Sequence, residues 1–181
     1  LADMDIKTKI TSNSIEKLFS VGAHYGLVRS RRHPSAQPYI FGIKNHIEIF
    51  DLEKTEEALT RAKDFISGVV AGGGMVLFVG GKNEAQEAIR RVALELGMPY
   101  VAGRWLGGTL TNYVEIKKRI ARLEDLLAQK EKGELSKYTK KERLLIDREI
   151  ESLKISFSGL TPMKGLPKVI FVIDPKREET A

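Results

Sequence analysis

Apolar residues recur along the chain at two spacings, which predict helices in some segments and strands in others. Intervals of three and four residues place side chains on one face of a helix, whereas uninterrupted apolar runs are typical of strands covered on both faces. The helical spacing predicts a short helix before Gly22 and longer helices after residues 51, 83, 112 and 139. Apolar runs predict strands over residues 39–43, 46–50, 75–79, 99–101 and 168–174.

Each predicted helix begins with a residue that can cap it. Asp51 precedes one helix, and the other helix starts pair an Asn or Thr with a Glu or Gln three residues later, which is the pattern of a capping box. These pairs are Asn13 with Glu16, Asn83 with Gln86, Asn112 with Glu115, and Thr139 with Glu142.

The order of the elements predicts the fold class. Residues 39–50 read as a β-hairpin or an irregular pair of strands, and the strand over 75–79 is followed by a glycine turn, a helix and another strand. That succession is a βαβ unit, and the apolar run at 168–174 belongs in the same sheet. We therefore predict an α/β protein with a parallel sheet and flanking helices.

The segment between the last two strands has a different pattern. Apolar residues at Tyr113, Ile116, Ile120, Leu123 and Leu127 are spaced three and four apart, and the helix after Thr139 repeats this narrow seam. Such a seam predicts an antiparallel coiled-coil hairpin, whose first helix would be roughly 28 Å long and would protrude from the sheet. We thus predict a body, residues 1–108 and 156–181, with an inserted hairpin over 109–155. Two roles remain open for the hairpin, a structural one and binding to a partner.

The distribution of charge points to a polyanionic partner. The chain carries a formal net charge of +6 and has a pI near 9.4. Between Leu27 and Lys44 there are basic residues and no acid, and two prolines and several aromatic residues make this stretch an extended loop. This combination suits phosphates and unstacked bases, although a solvated loop with no ligand is the alternative. The basic residues are Arg29, Arg31, Arg32 and Lys44.

Other kinds of chemistry find less support. A P-loop that ends in Gly81 and Lys82 would need a glycine where Val76 stands and a Ser or Thr where Asn83 stands. The dinucleotide fingerprint lacks its third glycine. The chain has no Cys and three His, and no hydrolase or metalloprotease motif. We therefore expect no catalytic residue, no cofactor and no metal site, with nucleotide binding as the weaker alternative. No apolar run is long enough to span a membrane, so we expect no membrane partner.

The final residues predict a strand exit at Asp174 and Pro175, followed by the start of a short helix. A parallel sheet that stops there lacks its last crossover. We therefore expect the C-terminal part of the sheet to be missing from this chain.

Five motifs resemble those of one protein family. They are "VGAHYG" at residues 21–26, "PYIFGIKNHIEIFDLEKT" at 38–55, "LFVGGKNEAQEA" at 77–88, "GMPYVAGRWLGGTLTN" at 97–112 and "GLPKVIFVIDPKRE" at 165–178. They are similar to the bacterial-type ribosomal protein of the small subunit that is numbered two. One departure is Leu27, where many members of that family have a second His.

The resemblance implies a flavodoxin-like or Rossmann-like sheet with a protruding helical hairpin, bound to 16S ribosomal RNA between the head and body of the small subunit. It implies a structural component of translation, not an enzyme, that neighbours other ribosomal proteins and helps to dock the large mRNA-binding ribosomal protein numbered one. It also implies a cytoplasmic, ribosome-bound protein, or one of an organellar ribosome, that does not assemble into homo-oligomers by itself. Family members usually continue through another strand, which agrees with the expected missing part of the sheet.

Within "RWLGGTLTN", we expect Gly107 and Gly108 to turn the chain from the sheet into the hairpin, with Trp105 wedged at the junction and Arg104 facing RNA or pairing internally. The residues predicted to contact RNA are Arg29, Arg31, Arg32, His33, Lys44, Lys82, Arg104, Lys117 and Lys118.

Overall fold

The computed structural model describes residues 14–181, and the chain divides into two compact units, Leu1–Ser67 and Gly68–Ala181. We call them the N-terminal and C-terminal units. The prediction that Asn13 caps the first helix lies outside the described residues. The predicted division into a body and an inserted hairpin remains a prediction.

The N-terminal unit contains a small antiparallel sheet. Helix α1, described over residues 14–20, precedes the sheet, and helix α2, Leu52–Ala71, follows it and has its last turn in the C-terminal unit. The strands are β1 (Tyr25–Val28), β2 (Ile40–Lys44) and β3 (Ile47–Phe50), in the order β1-β3-β2.

The hairpin predicted over residues 39–50 is confirmed. Asn45 and His46 form its two-residue turn with φ of 51° and 64°, the positive values that a type I′ turn requires. Strand β1 was not predicted, because "YGLV" is short and contains a glycine, so its apolar pattern is weak.

The C-terminal unit contains the predicted parallel sheet with helices around it. Strand β4 (Val76–Val79) pairs in parallel with β5 (Tyr100–Val101) on one side and with β6 (Val169–Val172) on the other. The helices are α3 (Asn83–Leu96), α4 (Tyr113–Glu131) and α5 (Lys140–Phe157). This arrangement is a mixed α/β fold of the Rossmann-like kind, as predicted.

Helices α4 and α5 pack on one another and on the sheet. Their buried apolar residues join Leu77 and Val79 of β4 in a single core cluster. On α4 the buried positions include Leu126, and Leu127 is only partly buried, so the inward face is broader than the predicted seam. Two ion pairs connect the helices, Arg122 with Glu149 at 3.2 Å and Lys130 with Asp147 at 2.6 Å.

Two of the predicted caps formed, and two did not. Asp51 Oδ1 accepts from the amides of Glu53 and Lys54, and Thr139 with Glu142 forms a complete capping box. The caps predicted at Asn83 and Asn112 are wrong, because neither residue makes a side-chain capping bond at its helix start.

Other partners hold the side chains that would have completed those boxes. The carboxylate of Glu115 lies 2.6 Å from Lys118 Nζ. The amide of Gln86 donates to the carbonyl oxygen of Gly81 and to Asn83 Oδ1.

The helix predicted to start after Asp174 is also wrong. Asp174 has φ of 64°, residues 175–177 form a turn, and no helix follows through residue 181. The physical reason lies in Glu178, whose carboxylate accepts a 2.8 Å hydrogen bond from the amide of Gly81 and so holds the segment against the sheet.

The two units differ in burial. Among the described residues, every fully buried hydrophobic side chain lies at Val76 or later, so all of them belong to the C-terminal unit. Both units expose some large apolar side chains, with Phe41 at 81% in the N-terminal unit and Ile155 at 86% in the C-terminal unit. Within residues 14–181, no helix is both long enough and apolar enough to cross a membrane.

Candidate nucleic-acid interface

The basic loop of the N-terminal unit is ordered by two short 3-10 helices. Residues Arg29–Arg31 form the first and Pro34–Tyr39 the second, where the extended loop had been predicted. Pro34 suits the first helical position because its φ is fixed and it lacks an amide hydrogen. His33 Nδ1 accepts from the Ser35 amide at 3.3 Å and lies 2.7 Å from Ser35 Oγ.

Contacts from the neighbouring elements hold the end of this loop. The Asp51 amide donates to the carbonyl oxygen of Tyr39 at 2.9 Å, and Lys54 Nζ donates to the carbonyl oxygen of Pro38 at 2.8 Å. A loop fixed at this end presents its charged side chains from a defined backbone, which lowers the entropy cost of binding.

Arg29 and Arg31 are the free cations of this loop. Both side chains are exposed, and neither makes an ion pair or side-chain hydrogen bond with any residue that the structure describes. Lys44, at the end of β2 before the Asn45 turn, is also exposed and unpaired by the same criterion. These three side chains are available to phosphate oxygens.

Arg32 differs from its neighbour because it points to a buried acid. Its guanidinium nitrogen Nη1 lies 3.0 Å from Glu48 Oε1, and the two side chains are 18% and 2% exposed. A buried carboxylate needs such a partner, since an unpaired buried charge is strongly destabilising. The structure therefore gives Arg32 an internal partner, although the sequence suggested a phosphate contact.

The other predicted RNA contacts lie in the C-terminal unit. Lys82 is half-buried at the start of α3, while Arg104 after β5 and Lys117 on α4 are exposed, and none of the three has an ion-pair partner within residues 14–181. Lys118 is exposed and pairs with Glu115 at 2.6 Å. An exposed pair of this kind contributes little to stability, so Lys118 can exchange its partner readily.

The segment before α4 is a compact turn. Gly108 has φ of 87°, Thr109 is buried, and the Thr109 hydroxyl donates to the carbonyl oxygen of Leu106 at 2.7 Å. Trp105 is partly buried against the core cluster, while Arg104 stays exposed. Only Gly108 of the glycine pair needs a left-handed conformation that favours glycine.

The turn after β4, which could hold a nucleotide phosphate, is occupied by the protein itself. The Gly81 amide that would face a phosphate donates instead to the 9% exposed carboxylate of Glu178. A carboxylate in this position repels a phosphate, so the geometry disfavours the nucleotide-binding alternative. Among the residues that the structure describes, there is also no group of three or more His, Asp or Glu side chains placed to hold a metal ion.

Comparison with known proteins identifies similar chains. Residues 18–181 match the family model of ribosomal protein S2. A small ribosomal subunit protein uS2 of Maridesulfovibrio salexigens is 44% identical over 168 residues, which make up 93% of this chain and 65% of that protein.

Two further relatives bear the same name. The protein of Chloroflexus aggregans is 43% identical over 168 residues, 93% of this chain and 71% of its own length. The protein of Roseiflexus sp. is 46% identical over 168 residues, 93% of this chain and 64% of its own length. The chain therefore spans 64% to 71% of the length of these relatives.

Proposed function

The chain belongs to the ribosomal protein S2 family, and on this premise we propose that it is a structural constituent of the small ribosomal subunit that binds ribosomal RNA. Its relatives are named as small-subunit proteins, and a protein in such a particle has RNA and neighbouring proteins around it. The proposed partner is 16S ribosomal RNA, contacted between the head and body of the subunit.

The unbalanced charge of the N-terminal unit carries this proposal. Between residues 17 and 50, Glu48 is the only acid, and Arg32 already neutralises it. Arg29, Arg31 and Lys44 are therefore uncompensated cations on one small unit. Phosphates are the natural counter-charge for such a group, and contacts to them position a protein on RNA without reading its sequence.

The remaining predicted contacts, apart from His33, form a separate group on the C-terminal unit. Arg104 and Lys117 supply exposed positive charges, Lys118 supplies one that is shared with Glu115, and Lys82 and His33 are secondary contacts. In this proposal Arg32 does not contact RNA. Its ion pair with Glu48 of β3 fixes the loop that carries Arg31 to the sheet.

The helical pair α4 and α5 is proposed to form a coiled-coil hairpin that is inserted into the α/β body and projects from it. Exposed charged side chains of the helical pair that take part in none of its ion pairs, such as Lys117, are available to neighbours. Through the family resemblance, we further propose that the protein helps to dock the large mRNA-binding ribosomal protein numbered one. No catalytic step is assigned, because the family consists of structural ribosomal proteins and the Glu178 carboxylate occupies the turn after β4.

Sedimentation of the tagged chain from a bacterial lysate tests this function. We expect the chain to travel with small ribosomal subunits at low salt, to leave them as salt rises, and to stay at the top of the gradient after RNase treatment. The double variant Arg29→Ala/Arg31→Ala should dissociate at lower salt than the wild type. A matched control is Arg61→Ala/Lys63→Ala, which removes the same charge from exposed positions of α2.

Two results would count against the proposal. One is a chain that stays at the top of the gradient at low salt. The other is an equal effect of the two double variants, which would mean that only net charge matters.

A further inference from the structure

One face of the N-terminal sheet is open and carries no acid. Directly paired residues of neighbouring strands lie on the same face of a sheet. Tyr25 pairs with Ile49, which pairs with Gly42, and Val28 pairs with Ile47, which pairs with Lys44. We call these two rows of three residues the Tyr25 face. Glu48, between Ile47 and Ile49, points to the opposite side because side chains alternate along a strand.

The Tyr25 face is accessible to a ligand. Tyr25 is 62% exposed, Val28 and Ile47 are each 37% exposed, and Lys44 is exposed. A Cβ atom at Gly42 would have nothing within 4 Å, so this position leaves a gap next to Ile49. The surface is mainly apolar, with the cation Lys44 at one corner.

A column of aromatic rings continues from this face. The Phe19 and His24 rings stack with centroids 4.3 Å apart and planes 12° apart, and the His24 and Tyr25 ring centroids are 4.1 Å apart. Phe19 and Tyr25, the two outer rings, are 61% and 62% exposed. The neighbouring rings hold Tyr25 in place while it stays open to solvent.

The charges around this face decide which partner fits it. Arg29 follows Val28 directly in the chain, and Lys44 lies on the face itself. A partner must therefore offer flat apolar rings and negative charge together. Unpaired RNA bases with their phosphates do so, whereas a duplex hides the faces of its bases.

We infer that the Tyr25 face stacks unpaired bases of RNA, with Tyr25 as the stacking ring, the Gly42 gap accommodating a base edge, and Lys44 and Arg29 holding the flanking phosphates. This inference rests on the proposed function and names the part of the RNA that the N-terminal unit recognises. Phosphate contacts alone would give no preference for unpaired RNA, whereas stacking on the Tyr25 face favours the unpaired strand.

The test measures affinity of the full chain for a short oligoadenylate and for an RNA duplex with the same number of phosphates. Tyr25→Ala should weaken oligoadenylate binding by about 5-fold to 150-fold, the loss expected for one stacked base, and should leave duplex binding unchanged. Tyr25→Phe should bind like the wild type. Phe65→Ala is a matched control, since Phe65 is an aromatic residue of α2 with the same 62% exposure, and it should have no effect.

A spectroscopic readout covers the case in which Tyr25→Ala does not fold. An oligoadenylate that contains 2-aminopurine should lose fluorescence on binding to the wild type, because stacking on a ring quenches it, and should lose less on binding to a Tyr25→Leu variant. Equal quenching by the two proteins would overturn the inference.

The outcomes separate this inference from the proposed function. If salt-dependent RNA binding persists and Tyr25→Ala binds oligoadenylate like the wild type, the stacking is wrong and the proposed function stands. If the wild type binds neither RNA at low salt, the proposed function itself fails. If Tyr25→Ala binds oligoadenylate like the wild type but no longer binds small-subunit proteins from which RNA has been removed, the Tyr25 face binds a protein and the inference is overturned.

Discussion

At the scale of single residues, Arg31 and Arg32 are adjacent in the chain but face different surroundings. Arg31 is exposed without a partner, and Arg32 pairs with the buried Glu48 at 3.0 Å. The sequence pointed to a basic cluster, and it gave no sign that one member is internal. That contact joins residues 16 apart and depends on how β3 is placed in the sheet, which local patterns do not encode.

The two arginines should therefore respond differently to truncation. Arg32→Ala leaves Glu48 buried and unpaired, so it should lower the free energy of unfolding of the N-terminal unit by about 3 to 5 kcal/mol. Arg31→Ala should change it by less than about 0.5 kcal/mol, as surface substitutions usually do. Amide exchange of β3 in the two variants measures the difference.

The double variant Arg32→Ala/Glu48→Gln serves as the control. It should regain part of the lost stability, because a neutral amide costs less to bury than a lone carboxylate. Equal stability of Arg31→Ala and Arg32→Ala would contradict an internal role for Arg32.

At the scale of secondary-structure elements, the periodic helices were predicted well and their caps less well. Helix α4 begins at Tyr113, as expected, because its apolar residues recur over several turns. The capping box predicted at Asn112 did not form, because Lys118 pairs with the Glu115 carboxylate that would have completed it. The sequence pattern considers only Asn112 and Glu115, so it does not register this competing partner. Strand β1 was not predicted because four residues are too few to show an alternation of apolar and polar positions. Its extended conformation depends on pairing with β3, which is distant in the sequence.

The capping box of α5 should make its stability depend on pH. The Thr139 amide and hydroxyl donate to the Glu142 carboxylate at 2.9 Å, and the backbone bond, followed by the hydroxyl bond, lowers the pKa of Glu142. A lowered folded-state pKa means that the stabilisation is present above the ordinary pKa of the carboxyl and is lost as pH falls through the lowered value.

Thr139→Ala should raise the pKa of Glu142 towards its ordinary value, because it removes the hydroxyl and weakens the box. Carbon-detected NMR titration of the Glu142 carboxyl measures this shift. The control is Thr139→Ser, which keeps a hydroxyl at this position and should leave the pKa of Glu142 lowered. An unchanged Glu142 titration in Thr139→Ala would show that the box does not form in solution.

The glycine turn after β4 should tolerate no side chain at Gly81. A Cβ atom there would lie 2.5 Å from Glu178 Oε1 and 2.7 Å from the carbonyl oxygen of Gly103. The carbonyl belongs to the backbone and cannot simply rotate away, so Gly81→Ala should lower the free energy of unfolding by about 1 to 3 kcal/mol.

Gly107→Ala is the control for that substitution, because a Cβ at Gly107 would have nothing within 4 Å. Its effect should stay below about 1 kcal/mol. Denaturant unfolding of both variants gives the comparison, and a Gly81→Ala protein as stable as Gly107→Ala would mean that Glu178 does not close this turn.

At the scale of the whole molecule, the two units differ in how much apolar surface they bury. Charge and apolar pattern were sufficient to predict an α/β chain with a cationic loop. They did not predict that, within residues 14–181, all fully buried hydrophobic residues would lie at Val76 or later. Burial depends on which faces meet in three dimensions, and a strand pattern alone does not say whether its apolar face is covered.

Hydrogen exchange should reveal this difference in the free chain. Amides of β4, whose residues Val76, Leu77 and Val79 are buried, should exchange at least about tenfold more slowly than amides of β2 and β3. Addition of 16S ribosomal RNA should slow amide exchange in β2 and β3 more than in β4, because the bound RNA would shield the N-terminal sheet from solvent. Equal exchange rates of the two sheets in the free chain would contradict this difference in stability.

The salt dependence of RNA affinity tests the central claim most directly, which is that Arg29, Arg31 and Lys44 neutralise phosphates. The affinity of the wild type should fall linearly with salt on logarithmic axes, and Arg29→Ala/Arg31→Ala/Lys44→Ala should reduce that slope by about two units. A triple variant with the slope of the wild type would contradict the claim.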